Sequence, residues 1–270
     1  MPDLDLTLAE RAASTPVLAL DAGPCDAAEW FERHPDAFGW YLIEGALVRE
    51  VVAGPGSMPV ILGPRDIVEP PVGSFSTLPS SVRLTALTPV RVAVLGPSVL
   101  SASQRWPSIM GAIQRRLAIQ NQRAAALGAI GQISRVEVRV IAALWLLADD
   151  FGSVGRDGIT VALPLTHREL GGFVGARRPT VSLALAGLAE RGVVRRRDDG
   201  AYLLDPGAAG YLADALEEGG PPFADLGRLA VAIRERAGVT RSEAQAVRAE
   251  AEQARRRRAQ LKRSSDPTRS

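Results

Sequence analysis

The chain has 270 residues, 46% hydrophobic and 23% charged, and a formal charge of +2, which is length and apolar content enough for two domains with their own cores. One cysteine and two histidines leave no disulfide framework, iron–sulfur site or zinc cluster to expect, and no run of about 18 apolar residues would span a bilayer. The small net charge hides an asymmetry: residues 1–75 carry twelve acidic side chains against four basic ones, so the back of the chain is basic and suited to nucleic acid.

Residues 1–16 form an acidic N-terminal segment without the basic-then-apolar layout of a signal peptide, which points to a cytoplasmic protein. Residues 17–105 read as short β-prone runs, GWYLIEGALVREVVAG, MPVILG, SVRLTAL and VRVAVLG, punctuated by Gly-Pro at 23–24, 54–55, 63–64 and 96–97. That spacing predicts a compact β-barrel or β-roll. The Pro-rich stretch DIVEPPVGSFSTLPSS within it reads as a ligand-facing or mobile loop.

Residues 106–132 change character. Pro107 stands at the head of a long run of good helix formers. Met110, Ile113, Leu117, Gln120, Ala124 and Leu127 fall at alternating steps of three and four, a heptad seam that predicts a symmetric dimer contact, the alternative being a long helix packed on its own domain. Residues 133–205 begin with a helix, apolar nearly all round from Val140 to Leu147, followed by a short strand in GITVALP. Residues 206–270 drift to Ala, Glu, Arg and Gly. They are expected to be a helical basic extension with a disordered tail, dispensable for folding, whose Arg255 to Arg258 either add phosphate contacts or form a solvated helix end.

The most informative stretch is THRELGGFVGARRPTVSLALAGLAERG, from Thr166 to Gly192. Thr166 and Glu169 make a capping box at the start of one helix. Leu170 and Val174 form its apolar stripe, Gly171 sits where a neighbour must come close, and Gly175 where the chain turns at positive φ. A second helix points Val181, Leu185 and Leu188 inward and Arg177, Arg178, Thr180 and Ser182 outward. Two helices across a short glycine turn, the second with a basic, hydroxylated leading face, describe a DNA-reading helix-turn-helix. The run VVRRRDDGAYLLD then predicts a hairpin with an Asp-Asp-Gly turn. Such a hairpin is the wing of a winged helix, and Arg195, Arg196 and Arg197 beside its tip suit phosphate.

This order of parts resembles the Crp/Fnr (cyclic-AMP receptor protein) superfamily of bacterial regulators, over about Val17 to Leu204. The likeness is carried by TxxELGxxVGxxRxTVxxxLxxLxxxG in the helix pair and by IEGALVRE followed by LGPRDIV, similar to that family's Gly-rich strand turn and LGPGD-type corner. The resemblance implies an α+β fold: an N-terminal β-roll, cyclic-nucleotide-binding-like, then a long dimerisation helix and a C-terminal winged helix-turn-helix. It implies Arg178 as the guanine reader, with Arg177, Ser182 and Leu183 as further base contacts. Thr166, His167, Thr180 and the wing arginines are then phosphate contacts. Pro179 and Leu183 depart from the family's polar readers, so the operator should differ, although Leu183 could touch a thymine methyl.

The effector side departs further. Glu69 and Arg83 are the candidate pocket residues, yet Glu69 lacks the preceding Gly and Arg83 the following Ser-Ala of a cyclic-nucleotide phosphate cassette. No cofactor is expected, and haem is poorly served by His34 and His167 in different domains. The chain carries no Gly-rich phosphate loop, GxSxG, HExxH or usefully spaced carboxylate pair, so an enzyme is not expected. The expected partners are double-stranded DNA, a second copy, RNA polymerase and an unknown small-molecule effector, with no membrane. The alternatives are a non-specific nucleoid or adaptor protein, and a regulator that does respond to a cyclic nucleotide.

Overall fold

The computed structural model describes residues 14–70, 79–155, 157–205 and 207–217. The N-terminal part is two four-stranded antiparallel sheets. One runs in the order β1 (Val17–Leu20), β8 (Val90–Leu95), β3 (Gly39–Glu44), β6 (Ile67–Val68). The other runs β2 (Gly23–Cys25), β7 (Ser80–Ala86), β4 (Leu47–Ala53), β5 (Gly56–Leu62). Alternation along the strands sends Leu47, Leu62, Leu84 and Ala86 of the second sheet against Trp40, Leu42, Val90 and Val92 of the first. Between β3 and β4 the turn requires glycine: Gly45 has φ 92°, and a Cβ there would lie 2.3 Å from the Pro89 carbonyl oxygen.

A helix, α1 (Ala27–Arg33), interrupts the stretch that sequence periodicity reads as β-prone. The Asp26 carboxylate caps it, accepting from the Ala28 and Glu29 N–H groups at 2.9 and 3.2 Å. The helix lays Trp30 and Phe31 on Trp40, with ring centroids 5.5 and 5.8 Å apart. After β8 come α2 (Pro97–Arg105) and the 24-residue α3 (Ser108–Gly131), then α4 (Val136–Phe151).

The heptad seam of α3 is covered in part by its own chain. Gln120 and Leu127 are buried, and Ile113 and Leu117 pack on a cluster of Ile67, Leu95 and Val99 from the roll. Met110 and Ala124 remain half-exposed. The polar Gln120 has an intrachain purpose. Its Oε1 accepts from the Ile67 N–H and its Nε2 donates to the Ile67 carbonyl, both at 2.9 Å. The amide thereby satisfies the backbone of edge strand β6.

Next to this contact lies a buried ion cluster. Asp66 is fully buried and accepts from the Gly63 N–H at 2.8 Å. Arg116 reaches Asp66 at 2.9 Å and Asp150 at 3.3 Å, and Arg123 bridges the same two carboxylates. Two acids and two bases cancel, and the four side chains join the roll, α3 and the end of α4. Arg65, one residue earlier, holds φ 77°, a left-handed conformation that a residue with a Cβ adopts at a cost.

The C-terminal part is built round α4, whose Val138, Val140, Ile141, Ala143 and Leu144 are fully buried. Against it pack α5 (His167–Val174), α6 (Arg178–Glu190) and a four-stranded antiparallel sheet. That sheet runs in the order β11 (Val194–Arg196), β12 (Tyr202–Leu204), β10 (Ile159–Val161), β9 (Gly152–Val154). The domain does not end at Asp205. Helix α7 (Ala208–Glu217) adds Ala208, Leu212 and Leu216 to the same core, so this part of the extension is structural. Arg255 to Arg258 lie outside the described residues.

Ala46 and Ile61 of the roll belong to that core as well. The two halves meet closely: a Cβ on Gly63 would come within 2.7 Å of the Phe151 ring, and one on Gly172 within 3.2 Å of Pro59. Among the described residues no helix is long and apolar enough to cross a membrane.

Candidate nucleic-acid interface

Helix α5 starts as its sequence requires. Thr166 is extended at φ −74° and ψ 159°. Its Oγ1 accepts from the Glu169 N–H at 3.2 Å, while the Glu169 carboxylate accepts from the Thr166 N–H at 2.7 Å. The helix stops at Gly175, left-handed at φ 60° and ψ 39°. Gly171 is needed for a close approach, since a Cβ there would lie 2.5 Å from the Ala176 carbonyl oxygen. Arg139, on α4, was not singled out from sequence. Its guanidinium donates to the Val174 and Gly175 carbonyls at 3.0 and 3.2 Å, closing the end of α5 from below. Only the fold brings it there.

Across the turn, Arg177 is the extended N-cap residue of α6, with Pro179 in the first turn, where a missing N–H does no harm. Val181, Ala184, Leu185 and Leu188 are buried beneath. The opposite face presents Arg177, Arg178, Pro179, Thr180 and Leu183 to solvent, Leu183 with 75% of its surface exposed. Thr180 and Leu183 also line a shallow groove with Arg135, Val136, Glu137 and Ala184. Glu137, the acid in that groove, is engaged by Arg191 at 3.3 Å and Arg135 at 3.7 Å.

Ser182 does not join the outward set. Its hydroxyl is half-buried, donating to the Arg178 carbonyl at 3.0 Å and lying 2.8 Å from His167 Nδ1. These two contacts turn Ser182 toward the start of α5 and away from the outward face expected of a base reader. His167 is held below its ordinary pKa, first by burial and then by Arg196 and Arg178.

The wing is the β11–β12 hairpin, closed by the turn through Asp199 and Gly200, the latter at φ 84°. Arg195, Arg196 and Arg197 are all exposed. Arg196 leans over the Tyr202 ring at 5.9 Å, and Arg197 pairs with Asp199 at 3.3 Å. Tyr202 is buried, its O–H donating to the Leu165 carbonyl at 3.0 Å, and burial raises its pKa. Wing, helix start and recognition turn thus share one basic surface.

The proposed effector residues are not brought together. Arg83 alternates with the inward Leu84, so it lies on the outer face of its sheet and pairs with Glu50 across the strand at 3.0 Å. Glu69 instead pairs at 3.2 Å with Arg49, which shares the face of Leu47 and Leu84. Sequence spacing missed Arg49, whose inward direction depends on strand register.

These elements define a winged helix-turn-helix carried behind a β-roll. Residues 138–208 match the Crp-like helix-turn-helix domain family. Among solved structures, the chain is similar to a cyclic nucleotide-binding domain containing protein from Listeria monocytogenes EGD-e, with a TM-score of 0.59 at 16% identity over 75% of this chain and 96% of that one. It is similar to a CooA mutant from Carboxydothermus hydrogenoformans, with a TM-score of 0.58 at 14% identity over 78% and 90%. FixK2 from Bradyrhizobium japonicum gives 0.55 at 16% identity over 75% and 97%. No curated protein matches the sequence. The helix-turn-helix match gives residues 138–208 a Crp-like DNA-binding domain, and the likeness to the solved structures shows a shared fold.

Proposed function

We propose that the protein is a homodimer that reads an inverted-repeat operator with half-sites one helical turn apart. Arg178, Arg177 and Leu183 read base edges, Arg178 as a bidentate donor to guanine and Leu183 against a thymine methyl. Thr166, His167, Thr180, Arg195, Arg196 and Arg197 hold phosphates. The observation that carries this reading is the exposed first turn of α6, flanked by the capped start of α5 and the arginine-rich wing. Selection of bound sites from random duplexes, followed by footprinting, tests it. Binding without sequence preference would favour the nucleoid or adaptor alternative.

The dimer contact is proposed on the open side of α3. Gln114, Ala118, Asn121 and Ala125 are exposed there at heptad spacing, with half-buried Met110, Leu117 and Ala124 alongside. In sedimentation, Ala118→Glu should give a monomer with weak operator affinity. A dimer that binds normally would place the contact elsewhere.

The roll is proposed to take a small-molecule effector other than a cyclic nucleotide, and RNA polymerase is the expected partner on DNA. The outward Arg83, and the pairing of the inward Arg49 with Glu69, support the first point, since a cyclic phosphate needs a cation facing it that no carboxylate already holds. Calorimetry with cyclic AMP at micromolar levels should show no saturable heat; a tight isotherm would reinstate the nucleotide.

A further inference from the structure

We propose that His167 is a proton-gated phosphate contact. DNA binding adds a proton at its Nε2, so affinity falls as pH rises through neutrality. This rests on the DNA-reading surface proposed above and adds a regulatory property to it.

The argument is a count of hydrogens. The Arg178 carbonyl can only accept, so the single hydrogen of the Ser182 hydroxyl, 3.0 Å away, points to it. Only lone pairs remain on that oxygen. The Arg178 contact and the 2.8 Å one to His167 Nδ1 can both be hydrogen bonds only if Nδ1 donates, which assigns the neutral ring to the Nδ1–H tautomer. Its Nε2 carries a bare lone pair. A phosphate oxygen is also an acceptor, so neutral His167 has nothing to offer it. The imidazolium does.

The surroundings decide when that proton arrives. Burial first, and then Arg196 on β11 and Arg178 on α6, hold the ring below its ordinary pKa. Glu169 on its own helix is engaged in the capping box with Thr166, and Tyr202 on β12 gives its O–H to the Leu165 carbonyl. A DNA phosphate at the start of α5 would supply negative charge and favour the imidazolium. His34, the chain's other histidine, lies in the roll, 5.3 Å from the Trp40 ring.

Phosphate contact is indifferent to sequence, so a random-sequence duplex is a sufficient probe. Anisotropy titrations of the full chain at fixed salt from pH 6 to 8 should show affinity falling about tenfold per subunit for each unit by which binding raises the pKa. Calorimetry in buffers of different ionisation enthalpy should register proton uptake near pH 7. His167→Gln should bind without the pH slope. Ser182→Ala frees Nδ1 and allows the Nε2–H tautomer, so its slope should flatten too. His34→Gln should behave as the parent. A slope that survives His167→Gln, or a Ser182→Ala protein with the parental slope, would overturn the proposal. Failure of the parent to bind any duplex even at pH 6 would instead overturn the DNA-binding reading beneath it.

Discussion

Gln120 and Ile67 exchange two hydrogen bonds, the side-chain amide of one standing in for the next strand beside the backbone of the other. Replacing Gln120 with Leu would keep the volume and strand a buried N–H and C=O. Each unsatisfied group costs about 1–3 kcal/mol, so urea unfolding should show a loss of at least about 2 kcal/mol. A variant as stable as the parent would mean that water reaches this edge.

The same relationship shows where sequence reasoning stops. A heptad period says which face of a helix is apolar, and a polar residue within it is a familiar register device. It does not say whose surface covers that face. For Gln120, Leu127, Ile113 and Leu117 much of the cover is the chain's own. The capping box at Thr166 and the turn at Gly175 were legible because both partners lie within a few residues. Ser182 was misread because the histidine that engages it sits fifteen residues away on another helix. Helix α1 was hidden among strands because seven residues carry too little periodicity to compete with their β-prone neighbours.

Arg123 should be worth more to stability than any exposed arginine. Removing one partner of a buried pair leaves an uncompensated charge, at about 3–5 kcal/mol. Arg123→Met is expected near the lower figure, because Arg116 still neutralises one of the two acids. Asp66→Asn combined with Arg123→Met should cost clearly less than the sum of the two single changes. Additive losses in denaturant titrations would show that the carboxylate and guanidinium act independently.

Truncation separates the structural part of the C-terminal extension from the rest. A chain ending at Gly207 loses α7 and with it the buried Ala208, Leu212 and Leu216. Two fully buried leucines contribute about 1.5–3 kcal/mol each, so its melting temperature should drop sharply. A chain ending at Glu217 should melt as the full-length protein does. Equal melting of both would deny α7 any part in the core.

Two arginines should fail in different ways on DNA. Arg178→Ala is expected to cost about 1–3 kcal/mol and to relax preference at one base pair in each half-site. Arg195→Ala should weaken all sequences alike and reduce the salt slope by about one per subunit. Uniform weakening by Arg178→Ala would make that residue a phosphate anchor and move the reader to Arg177.

The Phe151 ring rests on bare backbone at Gly63, where even a methyl group would not fit. Gly63 also gives its N–H to Asp66, and Phe151 closes the helix that carries Asp150. A loop of the roll and the end of α4 are therefore in direct contact, with no room for a side chain between them. Heating should dismantle both in one event, with a single calorimetric peak. Any shift of the Gly63 corner toward Phe151 would press directly on the end of α4.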